Sequence, residues 1–166
     1  MRNTRSTIRM IAVGGIIAAL YIALTFMSSA LGLSSGFIQL RLSEALCILP
    51  IFTPAAIPGL FVGCLIGNLI TGSVITDIIV GSLATLIGAF GTYFARKNRY
   101  VAIVPPILAN TLFLPFVFVS MLEFPEHSIL WYMASVFISE FVMIALLGSL
   151  LYRALENYSD IFNDVE

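Results

Sequence analysis

Charged residues are scarce in this sequence. Of its 166 residues, 10% are charged and 60% are hydrophobic, whereas a soluble domain has about 25% charged and about half apolar residues. Too few polar side chains are present to cover a water-facing surface of this length. The composition therefore excludes an ordinary soluble globular protein and favours one whose surface faces lipid.

Histidine and cysteine are also nearly absent. His127 is the only histidine, and Cys47 and Cys64 lie separately inside apolar stretches. No Cys/His cluster can therefore hold a metal ion, and each cysteine is expected to be a small buried side chain. The sequence also lacks the glycine-rich loop that binds nucleotide phosphates. We expect no catalytic residue, metal or cofactor in this chain, and any ATP hydrolysis that it depends on would occur in a partner protein.

Long apolar runs take the place of these features. A helix needs about 20 apolar residues to cross a bilayer, and four runs reach this length, at residues 10–30, 77–95, 101–120 and 128–152. A further apolar region, residues 36–71, is interrupted at residues 53–59 by two prolines and a glycine. Because proline cannot donate the helical hydrogen bond, this interruption predicts a tight turn between two shorter helices.

Basic residues occur in three clusters, at residues 2–9, at residues 96–99 and at Arg153. Lys and Arg accumulate in cytoplasmic loops, and all three clusters lie on one side only if residues 36–71 cross the membrane twice. We therefore predict that residues 1–166 form a single all-α integral membrane domain, a bundle of six transmembrane helices with cytoplasmic N- and C-termini. No aromatic stripe accompanies the basic clusters, so we expect no nucleic-acid partner.

A small set of charged and amide side chains lies within the predicted spans. Burying a charge there costs about 2.5–3.5 kcal/mol on insertion scales, so each one is a candidate functional residue. Counted along the helices, these side chains converge on one zone that is open toward the outside. The predicted substrate-binding residues are Arg41, Glu44, Asn68, Asp77, Asn110 and Glu140, with Trp131 as a stacking face. Three carboxylates against one arginine suit a ligand with a positive charge or several N–H donors.

Most of these residues also have a simpler explanation. Arg41 and Glu44 are three residues apart and could pair as neighbours on a helix, and Asp77 could cap a helix start. The two asparagines could bond to each other between helices, and Trp131 could anchor the chain at the membrane interface. Glu140 has no neutralising residue in its own helix, which makes it the strongest candidate for a pocket role.

One face of the first predicted span consists of small residues. Gly15, Ala19 and Ala23 are spaced by four, and Gly14 and Ala18 form a parallel row beside them. Such strips let another helix approach closely. The partner helix could belong to another protein or to the same bundle, and the spacing alone does not decide between these two.

The size, the six predicted spans and the Ala19-x-x-x-Ala23 motif resemble the substrate-binding S components of energy-coupling factor (ECF) transporters. The Arg-Leu-Ser-Glu-Ala block within residues 39–46 and the proline-rich segment at residues 54–60 are similar to the QueT group of that family. The pair Gly67-Asn68 is similar as well. The resemblance extends over nearly the whole chain, in length and in the layout of the spans.

The resemblance implies uptake of a queuosine precursor, a 7-deazaguanine compound such as preQ1 or queuine, across the bacterial cell membrane. It implies as partners a transmembrane coupling protein (EcfT), which docks on the small-residue face, and two cytoplasmic ATPase subunits (EcfA). We expect Glu140 or Glu44 to hold the N–H donors of the deazaguanine, Asn110 or Asn68 to meet its carbonyl, and residues 31–40 to form a lid. Two other functions stay open: a stand-alone secondary transporter driven by protons through Glu140, and a purely structural membrane subunit.

Overall fold

The computed structural model describes residues 4–34, 39–122 and 129–157, with all side chains in these ranges except those of residues 117–122. Every regular element in this part of the chain is a helix. The elements in chain order are α1 (Thr4–Ala30), a 3₁₀ helix (Leu42–Ile51), α2 (Ala56–Ile70), α3 (Ile75–Phe94), α4 (Arg99–Ala102), α5 (Val104–Leu122), α6 (Ile129–Glu140), a π-helical segment (Phe141–Gly148) and α7 (Ser149–Glu156). The last three follow one another without a break and form one long helix.

Within the described ranges, four helices are long and apolar enough to cross a membrane. They are α1, α3, the α4–α5 pair over Arg99–Phe116, and the continuous helix Ile129–Glu156. The four long apolar runs of the sequence are thereby confirmed as helices, with their ends shifted by a few residues. The chain is a multi-pass helical membrane protein.

The two shorter helices predicted within residues 36–71 are also present, as the 3₁₀ helix and α2. The turn between them is shorter than predicted. The chain reverses over residues 52–55 rather than 53–59, and α2 already includes Pro58. Pro58 lies in the first turn of α2, where its missing N–H removes no helical hydrogen bond, so this proline is compatible with a helix start.

Helices α1 and α2 run in the same direction and approach each other closely at two glycines of α2. A Cβ atom built on Gly59 would lie 2.6 Å from the carbonyl oxygen of Gly14, and one built on Gly63 would lie 2.7 Å from the Cβ of Tyr21. Neither distance leaves room for a larger residue. Because these two glycines have no side chain, the two helices can touch there. The two contacts thereby fix the position of α2 along the axis of α1.

The bundle has a basic end and a polar end. At the polar end, the amide of Leu42 donates to Ser28 Oγ at 2.9 Å, which joins the start of the 3₁₀ helix to the end of α1. At the basic end, the rings of Phe52 and Tyr152 lie 5.2 Å apart, and the Arg99 guanidinium lies 5.5 Å from the centre of the Tyr152 ring. Helix α1 also begins at the basic end, so the described parts of all three basic clusters lie together.

Apolar side chains cover the outside of the bundle, and acidic side chains lie inside it. Ile11 and Phe94 are 70% and 79% exposed, whereas Glu44, Asp77 and Glu140 are at most 6% exposed. Apolar surface on this scale marks contact with lipid or with another protein. The buried carboxylates therefore need partners within the bundle, and these partners form the site described next.

Candidate functional site

A polar cavity lies inside the bundle between the 3₁₀ helix and helices α2, α3, α5 and α6. Its volume is about 40 Å³, and we call it the inner cavity. Four of the seven predicted substrate-binding residues line it, namely Arg41, Glu44, Asn110 and Glu140. The sequence therefore located the centre of the polar zone, although these residues come from three separate parts of the chain.

Glu44 is held by hydrogen bonds at both carboxylate oxygens. Tyr21 Oη donates to Oε1 at 2.5 Å, and Cys47 Sγ and Asn110 Nδ2 donate to Oε2 at 3.2 and 3.4 Å. The donors come from α1, the 3₁₀ helix and α5. In all three contacts the carboxylate of Glu44 is the acceptor. Glu44 is therefore a fixed acceptor whose bonding capacity is largely used within the bundle.

Glu140, at the end of α6, lines the same cavity, and one of its carboxylate oxygens accepts no hydrogen bond from the described residues. It is the last residue of α6, and the π-helical segment begins at the next residue. Its buried Oε2 has no hydrogen-bond partner among the described residues, while Asn110 interacts with the carboxylate as well as with Glu44. A buried acceptor without a partner is destabilising, so this oxygen is a natural contact for an N–H donor of a ligand.

Arg41, Asn68 and Asp77 form a polar cluster at the polar end. Arg41 donates to Asn68 Oδ1 at 3.0 Å and to Asp77 Oδ2 at 3.1 Å. The alternative in which Arg41 pairs with Glu44 as a helix neighbour is wrong, because Arg41 precedes the 3₁₀ helix in an extended conformation (φ −103°, ψ 107°). Its guanidinium reaches α2 and α3 instead, and its charge is offset by Asp77.

A second, wider cavity lies beside this cluster, and we call it the outer vestibule. Its volume is about 310 Å³, and Gln39 and Arg41 line both it and the inner cavity. Asn68 and Asp77 line the outer vestibule rather than the inner cavity. The predicted binding residues are thus divided between two adjoining cavities, with Arg41 at the boundary.

Trp131, the predicted stacking residue, lies away from both cavities. It is 69% exposed, while its neighbour Tyr132 lines the inner cavity. Trp131 precedes Glu140 by nine residues, or about two and a half helical turns, so the two side chains project from opposite faces of α6. Tyr132 shares the Glu140 face. Counting helical turns back from Glu140 would have selected the aromatic residue that the cavity contains.

Sequence reasoning missed several small polar residues of the inner cavity. Ser135, Ser139 and Thr85 line it, and Thr85 Oγ1 donates to Cys64 Sγ at 3.4 Å. Uncharged hydroxyl residues are common in membrane helices because they can bond to the backbone of their own helix, as Ser139 does to the Ser135 carbonyl at 3.0 Å. Their residue type therefore did not distinguish them, and Thr85 lies on α3, so its position relative to Glu140 of α6 could not be read from the sequence.

The two small-residue rows of α1 have different surroundings. Gly14 and Ala18 are buried against α2, whereas Gly15, Ala19 and Ala23 are exposed. Apart from the adjacent backbone of α1, no atom of the described residues lies within 4 Å of a Cβ built on Gly15. The bundle itself therefore uses the first row, and the second row, which the family resemblance implied as a coupling face, is exposed.

These features define a class of protein before any comparison is made. A multi-pass helical bundle with an apolar exterior and polar cavities inside is typical of membrane transport proteins that bind a small polar solute. The QueT transporter family model matches residues 11–157. The chain belongs to the QueT transporter family, which confirms the resemblance seen in the sequence, and it is a transporter rather than an enzyme. No curated protein and no solved structure gives a match to the chain.

Proposed function

We propose that this chain is the substrate-binding S component of an ECF-type transporter and that it takes up a queuosine precursor, a 7-deazaguanine, across the bacterial cell membrane. The observation that carries the ligand chemistry is the pair of buried carboxylates, Glu44 and Glu140, on one cavity. Arg41, which also lines this cavity, is already paired with Asp77. Two acidic groups that share the cavity with one already paired arginine favour a ligand that is rich in N–H donors or positively charged.

The two carboxylates take different roles in this proposal. Glu140 has an unpartnered oxygen, so it accepts hydrogen bonds from the N1–H and exocyclic amine edge of the deazaguanine. Glu44 already accepts hydrogen bonds from three donors, so it acts through its charge and favours an aminomethyl cation where the precursor has one. Asn110 lines the cavity, and one of its N–H groups meets the carbonyl of the base by giving up its 3.4 Å contact with Glu44, whereas Asn68 is engaged by Arg41.

The inner cavity must widen to admit such a ligand. A volume of about 40 Å³ has room for about three water molecules at about 15 Å³ each, and a bicyclic base is larger. Glu140 and Tyr132 both lie on α6, which continues into the π-helical segment, and π-helical turns are frequent at functional sites. We expect α6 to move away from the 3₁₀ helix on binding. Of the predicted lid, Gln39 lines the cavity, while residues 35–38 lie outside the described residues.

Six membrane crossings with both termini in the cytoplasm are part of the proposal. The 3₁₀ helix starts beside Ser28 of α1, and the turn that follows it lies beside Gly14, where the carbonyl oxygen of Ala55 would be 3.1 Å from an added Cβ. Helix α2 then returns along α1. The two short helices thus pass through the bundle as a pair, which supports placing all the basic clusters on the cytoplasmic side. The ligand enters from the polar end.

Coupling to the ATPases occurs through the exposed row Gly15, Ala19 and Ala23 in this proposal. No side chain in the row is larger than a methyl group, so a helix of the transmembrane coupling protein (EcfT) can approach the α1 backbone closely. That protein connects the chain to the two cytoplasmic ATPase subunits (EcfA). Co-purification of the tagged chain with untagged coupling protein and ATPases tests this assembly, and recovery of the chain alone from cells that make all the subunits would contradict it.

Calorimetry on the purified chain tests the ligand assignment. The probes are an aminomethyl-7-deazaguanine and the same compound without its exocyclic amine. We expect the second to bind about tenfold or more weakly, because it lacks a donor for a buried carboxylate and one charge-assisted hydrogen bond contributes about 1.5–3 kcal/mol. Failure of both probes to bind, or equal affinity for both, would contradict the proposed ligand class.

A stand-alone secondary transporter driven by protons is the second candidate function. The observation that favours it is again Glu140, because buried carboxylates in membrane-embedded cavities occur in proton relays. Liposomes that contain this chain alone distinguish the two functions. Uptake driven by a pH gradient without other subunits would establish the stand-alone transporter, whereas uptake that needs the coupling protein, the ATPases and ATP would establish the S component.

A further inference from the structure

The outer vestibule contains buried polar atoms that the proposed base-binding site does not use. Two atoms on its lining, Ser34 Oγ and Asp77 Oδ1, are buried and have no hydrogen-bond partner among the described residues. Asp77 as a whole is only 3% exposed. Buried polar groups in native proteins are nearly always hydrogen-bonded, so two exceptions on one cavity need an explanation. A bound ligand that supplies the missing partners is such an explanation.

The charge beside Asp77 restricts what can bind there. Its Oδ2 pairs with Arg41 Nη2 at 3.1 Å, so the charge of the carboxylate is offset and a guanidinium lies next to the free oxygen. A ligand ammonium group would be repelled by Arg41, whereas a neutral hydroxyl can donate to Oδ1 without that repulsion. Ser34 can either donate or accept. Further hydroxyl side chains on the same lining are Thr25, Ser29, Thr71 and Ser73.

The outer vestibule is also the right size and in the right place for a substituent of the ligand. Its volume of about 310 Å³ is far larger than the 40 Å³ of the inner cavity. Gln39 and Arg41 line both cavities. A ligand whose base lies against Glu140 can therefore extend past Arg41 into the vestibule.

We propose that the outer vestibule is a second ligand subsite, which holds a neutral substituent with two or more hydroxyl groups. One hydroxyl donates to Asp77 Oδ1, and another exchanges a hydrogen bond with Ser34 Oγ, while the deazaguanine occupies the inner cavity. This inference rests on the proposed function and deepens it. The preferred ligand is a precursor whose aminomethyl nitrogen carries a dihydroxylated ring, and the precursor with a bare aminomethyl group binds less tightly.

Three probes isolate the contribution of the hydroxyl groups. The first is an aminomethyl-7-deazaguanine, the second carries a dihydroxycyclopentene ring on the amine nitrogen, and the third carries the same ring without hydroxyls. Calorimetry on the full chain is expected to show that the dihydroxylated probe binds about tenfold more tightly than the ring without hydroxyls. This estimate is a lower bound, because it counts each hydrogen bond as a factor of about three and the bond to the Asp77 carboxylate is charge-assisted.

Two substitutions assign that advantage to the vestibule. In Ser34→Ala, we expect the affinity ratio between the two ring probes to fall about threefold. In Asp77→Asn, the carboxylate acceptor is lost while the Ser34 contact remains, and we expect the ratio to fall about threefold as well. Ser149→Ala, at the basic end, is the matched control and should keep the wild-type ratio. Binding of the aminomethyl probe reports whether each variant is folded.

The possible outcomes separate the subsite from the base-binding site. If the wild type binds both ring probes equally, the vestibule is a hydrated entry path and the subsite is excluded, although the base site stands. A hydroxyl advantage that persists in both vestibule variants also excludes the subsite. If none of the three probes binds, the proposed function fails and the subsite fails with it.

Discussion

The inward and outward faces of α1 both carry rows of glycine and alanine, but only the inward row packs against another helix of the bundle. Gly14 and Ala18 face α2, where Gly63 leaves the space that lets the helices touch. Ala19 and Ala23 face outward and are exposed. The difference shows that a row of small residues becomes an interface only where the opposite surface is complementary. For the outward row, we propose that this surface belongs to another protein.

The inward face of α1 also supports the binding site. On the same face of α1, Tyr21 donates a hydrogen bond to Glu44, and Thr25 Oγ1 donates to Ser43 Oγ at 2.9 Å. Both acceptors lie in the 3₁₀ helix, so α1 holds in place the helix that carries Glu44. Changes on the inward face should therefore affect folding and ligand binding, while changes on the outward face should affect neither in the isolated chain.

The largest expected effect comes from adding a side chain to the inward contact. Gly63→Val places a Cβ 2.7 Å from that of Tyr21, and overpacking of this kind costs about 3 kcal/mol. The unfolding free energy, measured by denaturation in detergent, should fall by about that amount. Gly15→Val is the matched control, because its added Cβ has no neighbour within 4 Å in the described part of the chain beyond the adjacent backbone of α1. Equal stability of the two variants would show that the faces do not differ.

A slightly smaller effect is expected in the cavity that the inward face supports. Glu140→Gln replaces one acceptor oxygen with an amide donor, which opposes the donors of a guanine-like edge. A charge-assisted hydrogen bond contributes about 1.5–3 kcal/mol, so affinity for an aminomethyl-7-deazaguanine should fall about ten- to a hundredfold.

The selectivity between ligand analogues shows whether Glu140 contacts the ligand directly or whether its replacement disturbs the fold in general. The Glu140→Gln variant should discriminate less against analogues without the exocyclic amine, and Glu156→Gln, on the exposed surface of α7, should match the wild type in both affinity and selectivity. Wild-type affinity and selectivity in Glu140→Gln would make Glu44 the leading candidate for recognition of the base.

The link between α1 and Glu44 can be tested by deleting one hydroxyl. Tyr21→Phe removes the donor to Glu44 Oε1 but leaves the Cys47 and Asn110 donors in place. Stability should fall by about 1.5 kcal/mol, the lower end for a hydrogen bond to a charged group. Tyr100→Phe, at an exposed tyrosine, is the control for loss of a hydroxyl. A Tyr21→Phe variant as stable as this control would mean that α1 does not hold Glu44.

The smallest expected effect on the isolated chain comes from the outward face. Ala19→Leu and Ala23→Leu enlarge exposed positions, so unfolding free energy should change by less than about 0.5 kcal/mol and ligand affinity should not change. Transport by the assembled system should nevertheless be lost, because the added volume keeps the coupling helix away. Ala134→Leu, at an exposed alanine of α6, should leave transport intact. A parallel loss of binding in Ala19→Leu would place this row in the packing of the bundle.

The sequence predicted those features that depend on composition over a whole span. The four long helices follow from uninterrupted apolar runs, and the two short helices follow from the prolines near residue 54. It could not predict the partner of Arg41, because pairing by spacing assumes a helix and Arg41 lies just before one. For a related reason, the sequence could not place Trp131 relative to the two cavities. Residue type was weighed without the helical phase, which places Tyr132 on the side of Glu140.

The lengths of the helices set the thickness of the protein, and this thickness is uneven. The 27 residues of α1 extend about 40 Å, and the 15 of α2 about 22 Å, at about 1.5 Å per residue. The ten residues of the 3₁₀ helix extend about 20 Å at about 2.0 Å per residue. A bilayer core is about 30 Å thick. Seven of the ten residues of the 3₁₀ helix are buried, whereas Val62, Leu69 and Ile70 of α2 are exposed, so the outer side that α2 forms is thinner than the membrane around it. Lipids with shorter acyl chains match that side better, and the bilayer itself thereby becomes a determinant of how stably the cavity-forming helices are held.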